Sequence, residues 1–362
     1  MAIEPPYSLL AELTHACPLR CAYCSNPIDL RAGNDELATA DWIRVVEEAA
    51  ELGVLQFHLS GGEPLIRKDL EAIVTAARRQ GLYTNLITSG IPLSAERMHG
   101  LAEAGLNSVQ ISIQDSDDRS MKEVVGMSAL SAKISACTYV NQCQLPLSIN
   151  IVLHRHNIAR FEELVLLAVN TGATRIELAH VQFYGWAFRN RNYLMPTAEQ
   201  VNQVRTGVAR LRQQHPHVEI ILVISDYFEE FPKPCMGGWG QRHITIDPTG
   251  VALPCPAARL IDTLSFPSVN QLSLRDIWFE STAFHAFRGK AWMLDPCRSC
   301  ARQDIDHGGC RCQAFMYTGE ARSTDPVCKF SGKRKDIDQF QLLKEDEPVA
   351  LRTLTHQVGD AR

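Results

Sequence analysis

The sequence predicts an α/β protein: an open partial (β/α)6 barrel followed by a smaller, loop-rich region. Three observations carry this. Through about the first 200 residues, six apolar or half-alternating runs alternate with helical patterns. Several of those helical patterns stop at a glycine. Beyond residue 215, Gly, Pro and Cys rise and helical patterns shorten. A chain of βα units implies a parallel sheet with helices outside it, and six units are too few to close an eight-fold barrel.

The runs read as strands are SLLAEL (8–13), VLQFHLS (54–60), LYTNLIT (82–88), SVQISI (108–113), LSINIVL (147–153) and RIELAHV (175–181). Between them lie amphipathic helical patterns such as DWIRVVEEAAEL (41–52), DLEAIVTAARRQG (69–81) and ARFEELVLLAVNTG (159–172). Gly53, Gly81 and Gly172 suit the position after the last helical turn, where backbone turns left-handed. After residue 215, FPKPCMGGWG (231–240) and DPTGVALPCPA (247–257) flank an expected hairpin turning at Asp247 to Gly250. Such a region builds little apolar core and needs staples. The expected organisation is a core over 7–215, a cysteine-rich domain over 216–340 and a flexible tail over 341–362.

The chain has 362 residues, with 36 Lys and Arg against 41 Asp and Glu. A net charge of -5 argues against a non-specific nucleic-acid binder. No apolar run reaches the length of about 18 residues that a membrane span requires, and MAIEPPYSLLAEL lacks the basic-then-apolar order of a signal peptide. The expected location is the cytoplasm, with no nucleic-acid or membrane partner. There, 12 cysteines stay reduced and point to metal or redox chemistry rather than disulfides.

The thiols cluster. CPLRCAYC places Cys17, Cys21 and Cys24 at spacing C-x3-C-x2-C, directly after the first strand. Three thiolates can hold a four-iron cluster and leave one iron open, whereas four would close it. A zinc site with one distant ligand, or three unrelated core thiols, are the alternatives. The loop belongs at the C-terminal mouth of the sheet, where βα barrels carry their chemistry. Tyr23 could lay its ring against a planar base. The second strand ends in SGGEP, so Gly61, Gly62, Glu63 and Pro64 reach the same rim. The glycines allow close backbone approach to a ligand, and Glu63 offers a carboxylate to an ammonium group. In QISIQ (110–114), Gln110, Ser112 and Gln114 share one strand face, and Asn150 and His154 share a face of the fifth strand. His154, His180 and Tyr184 are the catalytic candidates on the rim.

C-x3-C-x-aromatic-C followed by GGEP resembles the radical SAM superfamily, whose fold is a partial, TIM-like barrel. The resemblance implies a [4Fe-4S] cluster on Cys17, Cys21 and Cys24. It implies S-adenosylmethionine (SAM) at the open iron, its amino end near Gly61 to Glu63 and its ribose near Ser112. The later thiols, Cys235, Cys255, CRSCARQDIDHGGCRC (297–312) and Cys328, resemble the SPASM extension with two auxiliary iron-sulfur clusters. That resemblance assigns Cys297, Cys300 and Cys328 to an outer cluster, and Cys235, Cys255 and Cys310, completed by Cys312, to an inner one. A zinc ribbon is the alternative, although only one C-x2-C knuckle is present. Asp306 stands where the SPASM pattern has a cysteine. PCMGGWG, GGCRC, FYGWA (183–187) and CSNP (24–27) resemble the PqqE family of pyrroloquinoline quinone (PQQ) biosynthesis, in which an Asp occupies that position. The chain departs from the family at Pro256, where a His often follows the second auxiliary Cys. Family membership implies a carbon-carbon bond between a Glu γ-carbon and a Tyr ring carbon of the peptide PqqA. It implies the peptide chaperone PqqD and a reducing electron donor such as flavodoxin as partners. Another SPASM peptide-modifying enzyme, sulfatase-maturing or thioether-forming, is the alternative, and a non-catalytic iron-sulfur carrier is the rival from a different class.

Overall fold

The computed structural model describes residues 3–28, 35–342 and 349–353. Among them, nine strands form one sheet: β1 (Ser8–Glu12), β2 (Gln56–Ser60), β3 (Tyr83–Thr88), β4 (Ser108–Ile113), β5 (Leu147–Leu153), β6 (Arg175–His180), β7 (Glu219–Val223), β8 (His243–Ile246) and β9 (Ala252–Leu253). Their order is β7-β6-β5-β4-β3-β2-β1-β8-β9. All neighbours run parallel except β8 and β9, which form the expected hairpin with Gly250 N–H on Asp247 C=O at 2.9 Å. The six strands read from sequence are the six central ones. The boundary expected at residue 215 falls between a long helix and β7, although β7 pairs with β6. At the other edge β8, from the cysteine-rich region, adds itself to β1.

The crossover helices are α1 (Thr39–Leu52), α2 (Leu70–Arg79), α3 (Ala95–Ala104), α4 (Asp118–Val125), α5 (Leu130–Gln142) and α6 (Phe161–Asn170). They are followed by the short α7 (Gly185–Arg189) and α8 (Arg191–Leu194) and by the longer α9 (Ala198–Gln214). The cysteine-rich region adds α10 (Leu274–Glu280), α11 (Thr282–His285), α12 (Arg311–Thr318) and α13 (Arg334–Phe340). In α1 the buried residues are Trp42, Val45, Val46, Ala49 and Leu52, the i, i+3, i+4, i+7 stripe of a helix lying on a sheet. None of the described helices is long and apolar enough to cross a membrane.

Strand parity divides the sheet into a core face and a cavity face. In β4, Val109, Ile111 and Ile113 are fully buried against the helices, and so are Ile149, Ile151 and Leu153 of β5. Gln110 and Ser112 point the other way, with Ser112 in register with Asn150. A one-residue slip would exchange the two sets. Burial of each large aliphatic side chain is worth about 1.5–3 kcal/mol, so the apolar face alone holds the polar row in place.

The junction of β1 with β8 carries a titratable group. His243 is paired with Ser8, its ring nitrogens 2.9 Å from Ser8 Oγ and 3.1 Å from Thr245 Oγ1. Burial, helped by the neighbouring His58, pushes its pKa from 6.5 down to about 4. Between these values the unfolded chain takes a proton that the folded chain refuses. The stabilisation is complete above pH 6.5 and is lost as pH falls toward 4, by on the order of 3 kcal/mol in full. His243→Gln is expected to flatten the fall in unfolding midpoint between pH 7 and 5. An unchanged slope contradicts this assignment.

Candidate active site

The cluster loop and the glycine strip meet because β1 and β2 end side by side, Glu12 opposite Ser60. Beyond that pair the two backbones continue as a ladder: Leu13 N–H to Ser60 C=O (2.9 Å), Gly62 N–H to Thr14 C=O (2.6 Å) and Glu63 N–H to Ala16 C=O (2.8 Å). A Cβ on Gly62 would lie 2.3 Å from Ala16 O and 2.6 Å from His15 O, and one on Gly61 2.6 Å from Thr14 O. The glycines are thus required by the approach of this strip to the cluster loop itself. On the loop's far side, Ala187 N–H bonds Cys24 C=O (3.1 Å), and a Cβ on Gly185 would sit 2.0 Å from Asn26 O. The FYGWA turn therefore clamps the residues that follow the third cysteine.

Above this junction opens a cavity of about 380 Å³ lined by Cys17, Cys21, Tyr23, Cys24, Gly61, Gly62, Thr88, Ser89, Gln110, Ser112, Gln114, Asn150, His180, Gln182 and Arg352, among others. Several buried polar atoms in its wall lack a hydrogen-bond partner among the described residues: Asn150 Oδ1, both ring nitrogens of His180, and Arg352 Nε. An unsatisfied buried polar atom costs about 1–3 kcal/mol, so a wall with several is built for a polar occupant.

The electrostatics fit a cationic metal cluster. Burial is the main cause that raises the thiol pKa of Cys17, Cys21 and Cys24, and Cys21 reaches about 12 under the added charges of Cys24 and Cys17. Three buried thiols that resist ionisation and feel one another's charge become thiolates when metal supplies the compensation. Among the described residues, no three of His, Cys, Asp and Glu converge tightly enough to grip one metal ion.

The other sequence candidates fall in different places. Glu63 is fully buried and does not line the cavity. Its carboxylate accepts from Leu65 N–H (3.1 Å), Thr88 Oγ1 (2.6 Å), Ser89 N–H (2.7 Å) and Ser89 Oγ (2.5 Å). It is committed to the end of β3, where an ammonium group had been expected. Pro64 opens a short 3-10 turn, Pro64–Ile66, below the rim. His154 is also absent from the cavity wall. It lies under Tyr23, with ring centroids 6.4 Å apart and nearly parallel, and burial lowers its pKa to about 3. His180 does reach the cavity, and burial holds it neutral with a pKa of about 4. Tyr184 instead places its hydroxyl 3.1 Å from Cys310 Sγ.

Sequence reasoning passed over Thr88, Ser89, Gln182 and Arg352. The first two end β3 as TSG, a small polar strand terminus of the kind noted on β2. Arg352 has no local pattern to mark it. Lys133, on α5, was also missed. It is buried beneath the site, and its Nζ donates to Ser89 C=O and Ser112 C=O, both at 2.7 Å.

The later thiols fall into two groups. A second, much smaller cavity of about 20 Å³ is lined by Cys297, Cys300, Asp306 and Cys328, together with Thr324 and Asp325. Asp306 Oδ1 accepts from Gly308 N–H (3.0 Å), and Oδ2 stands 3.4 Å from Arg302 Nε. Asp304 turns away to Lys290. Nearby, Cys255 and Cys312 sulfurs lie 3.6 Å apart. Burial and the charges of Cys310 and Cys255 raise Cys235. Hydrogen bonding from Cys312 lowers Cys310, and the bonds to Cys255 and Cys310 raise Cys312. These four thiols form a coupled set distinct from the cavity group.

Comparison with known proteins agrees with this geometry. A model of the radical SAM superfamily matches residues 11–168, and one of an iron-sulfur cluster-binding domain matches residues 235–301. The structure of Streptococcus suis SuiB bound to S-adenosylmethionine has a TM-score of 0.75 at 20% identity, over 90% of this chain and 78% of that one. Native anSMEcpe with bound AdoMet and Kp18Cys peptide gives 0.66 at 14% identity, over 93% and 97%. At such identities the likeness shows the fold. Fold and site together define a radical SAM enzyme carrying a C-terminal iron-sulfur domain. A PqqA peptide cyclase of Methylocella silvestris is 53% identical over 347 residues, 95% of this chain and 93% of that protein. A second, of Streptomyces rochei, is 48% identical over 96% of both. The chain belongs to the PqqA peptide cyclase family.

Proposed function

We propose that this enzyme joins a Glu γ-carbon to a Tyr ring carbon within the peptide PqqA, in the biosynthesis of PQQ. In this reading Cys17, Cys21 and Cys24 hold the [4Fe-4S] cluster that SAM completes. Bound there, cluster and SAM supply a 5'-deoxyadenosyl radical able to remove a hydrogen atom from carbon. The chain's own residues do the rest. Gly61 and Gly62 fix the cluster loop, Tyr23 and the Ser112–Asn150 row hold the nucleoside end, and the surrounding wall keeps water from the reacting atoms. Cys297, Cys300, Cys328 and Asp306 hold one auxiliary cluster, and Cys235, Cys255, Cys310 and Cys312 the other. PqqD presents the peptide, a donor such as flavodoxin supplies electrons, and the reduced cytoplasm suits the thiols.

The single observation that supports this best is the cavity that gathers three cluster-loop thiols, the glycine strip and unpaired polar atoms at one rim. Incubation with PqqA, PqqD, SAM and a reductant is expected to give a peptide lighter by two hydrogens, with the link mapped by fragmentation between Glu and Tyr. An unmodified peptide, or a thioether, would overturn the reading.

Asp306 gives a separate expectation. Its Oδ1 is spent on Gly308 and its Oδ2 is ion-paired with Arg302 at 3.4 Å, so ligation would draw Oδ2 from that pair toward the three thiols that line the same cavity. A carboxylate is a harder and more easily displaced ligand than a thiolate. Asp306→Ala is expected to preserve SAM cleavage and to alter one auxiliary electron-paramagnetic signal. Unchanged auxiliary signals with full cross-linking would remove Asp306 from the ligand set.

A further inference from the structure

We propose that the docked segment 349–353 sets Arg352 into the wall of the SAM cavity and that Arg352 binds a carboxylate there. The proposal rests on the reading that this cavity takes SAM. The segment is tied down on both sides. Ala350 exchanges two 2.8 Å hydrogen bonds with the Asn190 side chain, which also holds Ala22 C=O of the cluster loop at 2.8 Å. Arg352 N–H donates to Arg20 C=O (3.1 Å), and Arg20 Nε returns a bond to Arg352 C=O (3.2 Å). Val349 and Leu351 pack with Leu19, Ala22, Val124 and Val125.

The consequence is a guanidinium inside the cavity. Arg352 is 4% exposed, and its Nη2 is held by His15 C=O at 2.8 Å, yet its buried Nε has no hydrogen-bond partner among the described residues. Among the described lining residues it is the one permanently charged side chain. Its charge reaches Cys17 and Cys24 and favours their thiolates. The other nearby cation, Lys133, spends its ammonium on two backbone carbonyls and stays out of the cavity wall. A guanidinium has donors only, in a planar fork that matches a carboxylate. A buried fork with a donor to spare therefore selects a carboxylate, and repels the sulfonium and ammonium groups of SAM. The carboxylate has two sources: the methionine end of SAM, or an acidic side chain of the peptide.

Equilibrium dialysis of the reconstituted full-length protein tests this in two arms. The first compares SAM with 5'-methylthioadenosine, which lacks the amino-acid end. The second compares PqqA with a variant whose Glu residues are Gln. If the methionine carboxylate is the ligand, Arg352→Gln weakens SAM about tenfold or more and leaves methylthioadenosine unchanged, with Arg352→Lys between. If the peptide is the source, Arg352→Gln weakens PqqA and not its Gln variant, with SAM unaffected. Iron content stays constant throughout. Unchanged affinities in both arms, or equal losses for SAM and methylthioadenosine, overturn the proposal. A wild-type protein that fails to bind SAM sinks the cofactor reading instead, and the peptide arm then decides Arg352 by itself.

Discussion

Replacement of Cys17, Cys21 and Cys24 together by Ala is expected to reduce 5'-deoxyadenosine formation to background while auxiliary iron remains. The reason lies in where the thiols sit. All three belong to one loop after β1 and line the same cavity, whereas the other eight cluster candidates come from residues beyond 234 and line or adjoin a different one. Nothing in the ladder between the loop and the glycine strip uses a cysteine side chain, since Leu13, Gly62 and Glu63 bond through backbone groups. The variant should therefore fold, lose about four irons per chain, the content of one cubane, and keep the auxiliary absorbance. Continued 5'-deoxyadenosine formation would show that the cluster is held elsewhere.

Gly62→Ala is expected to damage the same function without touching a ligand. The added methyl meets two backbone carbonyls at 2.3 and 2.6 Å, and backbone cannot swing aside as a long side chain can. Overpacking of this kind costs about 1–3 kcal/mol, and losing either flanking hydrogen bond about 1 kcal/mol more. Relief requires the strip and the cluster loop to part by about 1 Å, a misplacement worth about a hundredfold in rate at a reacting site. The expected result is a stable protein with SAM cleavage reduced about a hundredfold. Near wild-type cleavage would mean that the loop tolerates the separation.

The central strands were legible because their apolar residues alternate at period two between Gly-capped helices, as in SVQISI and LSINIVL. β7 was not, because EIILV follows the longest helix and lies past the change in composition taken as a boundary. The pairing of β8 with β1 joins Ser8 to His243 across most of the chain, which no local pattern records. The cluster loop was legible from spacing and the glycine strip from its repeat, but the strip's reason differs. Its glycines yield room first to the neighbouring backbone. His154 shows the limit of strand parity, because it lies just past the end of β5, where side chains follow the turn, whereas Glu63, read from the SGGEP strip, spends its carboxylate on the end of β3. The tail is expected to be flexible as a terminal segment. Residues 343–348 and 354–362 lie outside the described residues, and 349–353 are docked by Asn190 and Arg20. That docking depends on partners far away in sequence.

The central claim is that the three-thiol loop holds a cluster whose open iron is completed by the methionine end of SAM. Electron-nuclear double resonance on the reduced protein with amino-15N-labelled SAM tests it most directly. The account predicts a nitrogen hyperfine coupling to the reduced cluster, present in wild type and Asp306→Ala and absent when Cys17, Cys21 and Cys24 are replaced. SAM bound in the wild-type protein without that coupling would contradict it.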